Sequence, residues 1–232
     1  MSEASLKKVL PLEKTKRKFD FLLVFCSLIR TFAGMNEEKW TENVIIVDGD
    51  YIDKVVFDLT VNFERMLGRR IPQADMARWV ECVALDGGLR EGDHETGIVL
   101  IHEPKNAAMQ YFVPGHYANE LHGQAFRSHL GEFSFTAVTT EGMASKESLL
   151  ADTLQIAAAR DEVERIMVVA PNDIYNNVRA MLREADAKKR LTLFTMQPPT
   201  GGSLRQELLG YSLLAALGIS SEEIMEKITN SK

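Results

Sequence analysis

Hydrophobic and polar positions along this chain change period several times, and each change marks an element. "NVIIV", residues 43–47, is a continuous aliphatic run rich in β-branched residues, the pattern of a strand covered on both faces. "DKVVFDLTVNFERMLGR" follows with Val55, Leu59, Phe63, Met66 and Leu67 at helical spacing and Gly68 near the stop. Glu64 falls on the face this spacing leaves to solvent. Pro72 opens a second predicted helix, "PQADMARWVECVALDGG", with Met76, Val80, Val83 and Ala84 on one side. Four further strand patterns come next: "TGIVLIHE", "EFSFTAVTT", "RIMVVA" and "RLTLFTM". Helical patterns, "SKESLLADTLQIAAARDEV" and "DIYNNVRAMLREADAKK", separate the last three. Connections of that length exclude hairpins, so the pattern predicts an α/β fold: a three-layer α/β/α arrangement around a mostly parallel, about five-stranded, Rossmann-like sheet. "PPTGGS" interrupts the alternation, and "LRQELLGYSLLAALGI" and "SSEEIMEKITN" beyond it have helical patterns. The expected organisation is a lead segment over 1–38, an α/β domain over 39–197 and a helical tail over 198–232 docking on it.

Composition narrows the class. With 232 residues, 45% hydrophobic and 26% charged, the chain can bury a core without disulfides. A net charge of −6 argues against unaided tight binding to a polyanion. Cys26 and Cys82 show neither metal-ligand nor redox spacing, which suits a reducing, cytoplasmic setting. Charge is uneven, since residues 1–34 carry seven basic against three acidic side chains. Their basic run, short apolar run and small-residue end outline a secretory signal, although Asp20 and Arg30 bracket the apolar part. The competing expectation is an upstream extension before Met35. No apolar run is long enough for a stable membrane span.

The candidate chemistry lies where strands end. In open parallel sheets, ligands bind at the carboxyl ends of the strands, and "NVIIVDGD" ends its strand on Asp48 with Asp50 two residues later. One aspartate is accounted for as a helix cap. Two, with a glycine between them, suggest a cation site. "VVAPNDIY" brings Asn172 and Asp173 to the same edge, while the helix after the third strand carries Glu147 and Asp152, with Glu141 just before it. Magnesium or manganese would accept such an oxygen set. His102 and Glu103 end another strand, and His102 is kept as a supporting residue. All five histidines fall between positions 94 and 129, yet none of their spacings is the tight pair that zinc sites use; His122 and His129 would at most share a helix face.

An apolar strand ending "VDGD", a helix with an interior aspartate, then "RIMVVAPNDIYNNVRAML" and "RLTLFTM" together resemble the NYN branch of the PIN-like ribonucleases over roughly residues 43–197. The resemblance implies a doubly wound fold and an acidic cluster that binds magnesium or manganese for RNA hydrolysis. By that resemblance Asp48, Asp152 and Asp173 are the catalytic set, with Asp50 and Glu147 as further metal ligands. Two positions depart from the family's pattern. Pro171 and Lys146 stand where it carries acids, which favours a chain that keeps the fold and loses the hydrolysis.

Three functions therefore compete. The first is a divalent-metal-dependent ribonuclease. The second is an inactive PIN-like scaffold that binds RNA, a nucleotide or a protein, self-association included. The third is a phosphatase resembling the haloacid dehalogenases, with "DGD" supplying an aspartyl nucleophile. No Walker loop and no GxGxxG fingerprint suggests a nucleotide cofactor.

Overall fold

Strand β1 (Asn43–Asp48) has all six residues buried, so it needs cover on both faces and a neighbour on each side. A computed structural model, which describes residues 40–140, 145–197 and 204–230, supplies both. The seven-stranded sheet runs β5-β6-β3-β1-β7-β8-β9, where β3 is His94–His102, β5 Ala125–Ser128, β6 Gly131–Thr139, β7 Arg165–Val169, β8 Arg190–Thr195 and β9 Arg205–Leu208. Every pairing is parallel except that of β5 with β6. Setting β5 aside, the strands proceed outward from β1 in both directions, the doubly wound order whose switch point lies between β1 and β7.

Alternation along the strands divides the core into two layers. Ile45, Val47, Ile98, Leu100, Met167, Val169 and Phe194 join one cluster with helices α1 (Gly49–Leu67), α2 (Met76–Asp86) and α6 (Leu209–Ala216). Val44, Ile46, Ile166 and Val168 point the other way, to the face where α3 (Lys146–Ala159) packs on β1 and β3 and α5 (Arg179–Asp186) packs on β8. The fold is thus α/β, a mostly parallel sheet flanked by helices. Gly68 ends α1 in the left-handed region, φ 72°, with its N–H bonded to the Glu64 carbonyl. Among the described residues no helix is long and apolar enough to cross a membrane.

Several expected boundaries move. The sheet has seven strands and not five, because β5 and β9 are edge strands with no apolar run. Residues 205–208, expected to be helical, pair with β8, so the segment beyond 197 contributes a strand to the sheet as well as helices. That segment continues into α6, whose Leu209, Leu213 and Ala216 belong to the main core, and ends in α7 (Ser221–Asn230). α2 begins at Met76, capped by Asp75; Ala74–Asp75 forms a two-residue strand, β2, paired with β4 (Phe112–Val113). The helix expected over "DIYNNVRAML" divides at Val178 into α4 (Asn172–Asn177) and α5. Glu64 is only partly exposed, and its Oε1 accepts the Ile71 N–H at 3.0 Å. The signal-like segment, Met35, Cys26, Glu141 and "PPTGGS" lie outside the described residues.

Candidate functional site: an aspartate pair clasped by lysine

Asp48 is the last residue of β1, and the strand's alternation turns it to the face that carries α3. It is also the cap of α1, accepting the Tyr51 N–H on Oδ1 at 3.0 Å. Ser145, bonded to the Ser148 N–H, caps α3 and so fixes Lys146 as that helix's first residue. From there the Lys146 ammonium donates to Asp48 Oδ1 at 2.8 Å and to Asp50 Oδ2 at 3.0 Å. Asp50 has two further donors: the Glu103 N–H on Oδ2 at 2.9 Å and the Asn106 amide on Oδ1 at 2.5 Å. The two carboxylates and the lysine thus tie together α1, α3 and the loop after β3.

The electrostatics follow from that arrangement. Burial would lift the Asp50 carboxyl, but hydrogen bonds from Asn106, Lys146 and Glu103 outweigh it and hold the group below its usual value. Burial would likewise depress the Lys146 ammonium, yet Asp48 and Asp50 push it above the usual lysine value. Both shifts favour the charged forms, so the clasp is ionic. The Asp48, Asp50 and Lys146 side chains are 4%, 16% and 19% exposed, which shields them from most, though not all, of the solvent screening.

A second layer supports the first. The His102 and Tyr117 rings stack with centroids 3.8 Å apart and planes 2° from parallel. The Tyr117 hydroxyl lies against Gly49, where any Cβ would collide with it, so the glycine of "DGD" is needed for close approach. Burial, and then the nearby Asp50, Asp53 and Asp48, raise the Tyr117 pKa and keep its hydroxyl protonated. Asp53 accepts the N–H groups of Gln110 and Tyr111 at 3.0 and 2.8 Å, so the loop after β3 is pinned to α1 a second time.

The expected site residues separate into those that meet and those that do not. Asp48 and Asp50 meet. Asp173 stands exposed in the first turn of α4, at the carboxyl end of β7, the parallel neighbour of β1; burial, then Asp48 and Asp173, raise the pKa of the Tyr51 hydroxyl. Asn172, beside it, is exposed. Asp152 does not join: it is six residues along α3 from Lys146, about 9 Å further on and about 120° round the helix, and burial alone lifts its carboxyl. Glu147 is exposed, next to Lys146 but outside the clasp. His102 supports the site through its ring stack, with Nδ1 3.0 Å from the Glu103 carbonyl. His122 and His129 share no helix; His122 follows a π-helical turn over Tyr117–Leu121 and accepts the Ala137 N–H, and His129 lies between β5 and β6. Tyr175, in "APNDIY", accepts the Ala170 N–H and lies 2.8 and 2.9 Å from the Val168 and Phe194 carbonyls, joining the ends of β7 and β8.

Among the described residues no three histidine, cysteine, aspartate or glutamate side chains converge as metal ligands. The two carboxylates that do converge already hold an ammonium between them, so this arrangement does not fit a divalent ion. Sequence reasoning marked Lys146 only as a misfit at an acidic position, and that charge reversal was the signal for its role. Asn106 and Tyr117 gave no signal, because their place depends on the path of the loop after β3.

No curated protein and no solved structure matches this chain. A family profile matches residues 37–224, a span that includes every residue of the clasp and all seven strands of the sheet. The chain therefore belongs to a family of unknown function, DUF6621.

Proposed function

We propose that this domain is a PIN-like scaffold that binds a partner without hydrolysing it, and that Lys146 supplies the positive charge a divalent ion supplies in the nucleases it resembles. The observation that carries this reading is the Lys146 ammonium 2.8 Å from Asp48 and 3.0 Å from Asp50. The doubly wound strand order and Pro171 at a position where the resemblance expects an acid support it. A clasp of two carboxylates and one lysine remains net negative and cannot by itself grip a phosphate backbone. Its work is architectural: it fixes α1, α3 and the loop after β3 with respect to one another.

The competing reading, a magnesium- or manganese-dependent ribonuclease, is favoured by one observation, the position of Asp173 in the first turn of α4, at the carboxyl end of the strand that pairs in parallel with β1. It requires Lys146 to leave both carboxylates. A phosphatase mechanism is supported less, since Lys146 bridges Asp48 and Asp50, the two acids it would need free as nucleophile and proton carrier.

Calorimetric titration with manganese, run beside a cleavage assay on single-stranded RNA, separates the two. The scaffold reading expects no manganese binding by the wild type tighter than about 1 mM and no cleavage that depends on Asp48. Lys146→Asp, which restores a carboxylate to the clasp, should acquire manganese affinity. Wild-type binding accompanied by cleavage that Asp48→Asn abolishes would establish the nuclease instead.

A further inference from the structure

The sheet ends on two edge strands, β5 (Ala125–Ser128) and β9 (Arg205–Leu208), and they differ in what a second copy of the chain would meet there. Among the described residues β9 pairs with β8 alone, so alternate N–H and C=O groups along its far side have no strand partner. None of the four residues of β9 is buried, whereas β8 buries five of its six.

The sequence of this edge is complementary to itself. Laid antiparallel against its own copy about Gln206, "LRQEL" sets Arg205 opposite Glu207 of the second copy, Glu207 opposite Arg205 and Leu204 opposite Leu208. Neighbouring registers lose this match. Centring on Arg205 or on Glu207 sets like charges against each other, and a slip of one residue sets both charges against uncharged side chains. β5 has no such register, because "AFRS" carries one charge, Arg127, which is engaged by Asp93. Within one copy Arg205 and Glu207 share a strand face and pair at 3.0 Å, and Arg205 also donates to the Asp86 carbonyl at 2.8 Å. Neither charge is used up by this. The two side chains are 50% and 37% exposed, and a guanidinium has five donors, so two copies would join two separate pairs into one ring of alternating charge.

Charged residues on an edge ordinarily keep it from pairing. Here the two signs alternate, which admits one orientation and one partner, the same strand of a second copy. Tyr211, in the first turn of α6 directly beyond β9, is 74% exposed, the most of any large apolar side chain among the described residues, and extends the surface past the strand. We propose that β9 is a self-association surface, through which two copies of this chain pair antiparallel about Gln206 into one continuous sheet. The surface lies three strands from β1 and does not depend on the clasp. Its paired stretch is short, so the dissociation constant should be about 10–100 µM.

Sedimentation equilibrium of the full chain from about 1 to 300 µM tests this. The mass should rise from 26.0 kDa towards twice that value. Glu207→Arg, which sets arginine opposite arginine, should weaken association at least about tenfold, and Arg205→Glu, which sets acid opposite acid, should do the same. Mixed in equal amounts, these two variants should pair with each other, because every arginine then meets a glutamate. Glu184→Arg, an equal change of charge on exposed α5, should associate as the wild type does. Circular dichroism melts establish which variants are folded, and Glu207→Arg set beside Glu184→Arg decides the matter whether or not Arg205→Glu folds. The proposal is overturned if the wild type stays monomeric throughout, the result expected of an edge that receives another protein's strand, if Glu207→Arg associates as tightly as the wild type, or if the two oppositely charged variants, both folded, stay apart when mixed.

Discussion

Lys146 donates to carboxylates 98 and 96 residues earlier in the chain, so the clasp is a tertiary interaction between elements far apart in sequence. Removing its cation leaves Asp48 and Asp50 facing each other with hydrogen bonds but no counter-charge. Lys146→Met should therefore destabilise by about 1–3 kcal/mol, below the cost for a fully buried pair because the lysine side chain is 19% exposed. The pH dependence has a definite sign. Asp50 is held low, so its contribution is present above the unfolded carboxylate value, about 3.9, and is lost as pH falls through the lower folded value. Lys146 is held high, so its contribution is present below about 10.4 and is lost as pH rises through the higher folded value. The stability gap between wild type and Lys146→Met, measured by urea unfolding, should be flat from about pH 5 to 9 and narrow on both sides. Asp152 behaves oppositely. Burial lifts its carboxyl and no charged neighbour contributes, so Asp152→Asn should change stability by no more than about 0.5 kcal/mol at pH 7, upward if at all. A loss of several times that size would show that Asp152 has an essential partner. At this scale the sequence made Asp48 and Asp50 legible, because a strand that buries all its residues can release a carboxylate only at its end. Asp152 misled because one-dimensional spacing does not say which way round a helix a side chain points.

Elements with their own hydrophobic signature were legible, and elements completed by neighbours were not. β1, β3 and β7 carry continuous apolar runs and β6 and β8 apolar residues interrupted by polar ones, and each of the five is flanked in the sheet on both sides. β9 reads "RQEL" and lies at the sheet's edge, where hydrogen bonding to β8 and not burial makes it a strand. α1 shows how a loop can dictate a helix residue. Gly49 is its first residue, and the Tyr117 hydroxyl occupies the place a side chain would take. Gly49→Ala should cost about 1–3 kcal/mol through that overlap. Tyr117→Phe in the same chain should recover part of the loss, since it removes the colliding atom and keeps the ring against His102. Equal stability of the single and double variants would mean that the strain lies elsewhere.

Across the whole molecule, the segment beyond residue 197 is part of the sheet and core, not an appendage. β9 extends the sheet, and Leu209, Leu213, Ala216 and Leu217 belong to the same cluster as Ile45 and Trp79. A chain ending at residue 197 should accordingly lose cooperative unfolding in circular dichroism melts, whereas one ending at 220, which omits α7, should keep it. The sheet's order has a further consequence, for the timing of folding. β1 sits between β3 and β7, and Asn43 is 122 residues from its partner Arg165. At about 5–20 residues per second of synthesis, the β7 side of this fully buried strand waits on the order of 10 s on the ribosome before its neighbour emerges. Such non-local pairing folds in milliseconds to seconds and exposes an aggregation-prone edge meanwhile. The nascent chain should therefore depend on chaperones until β7 has left the exit tunnel.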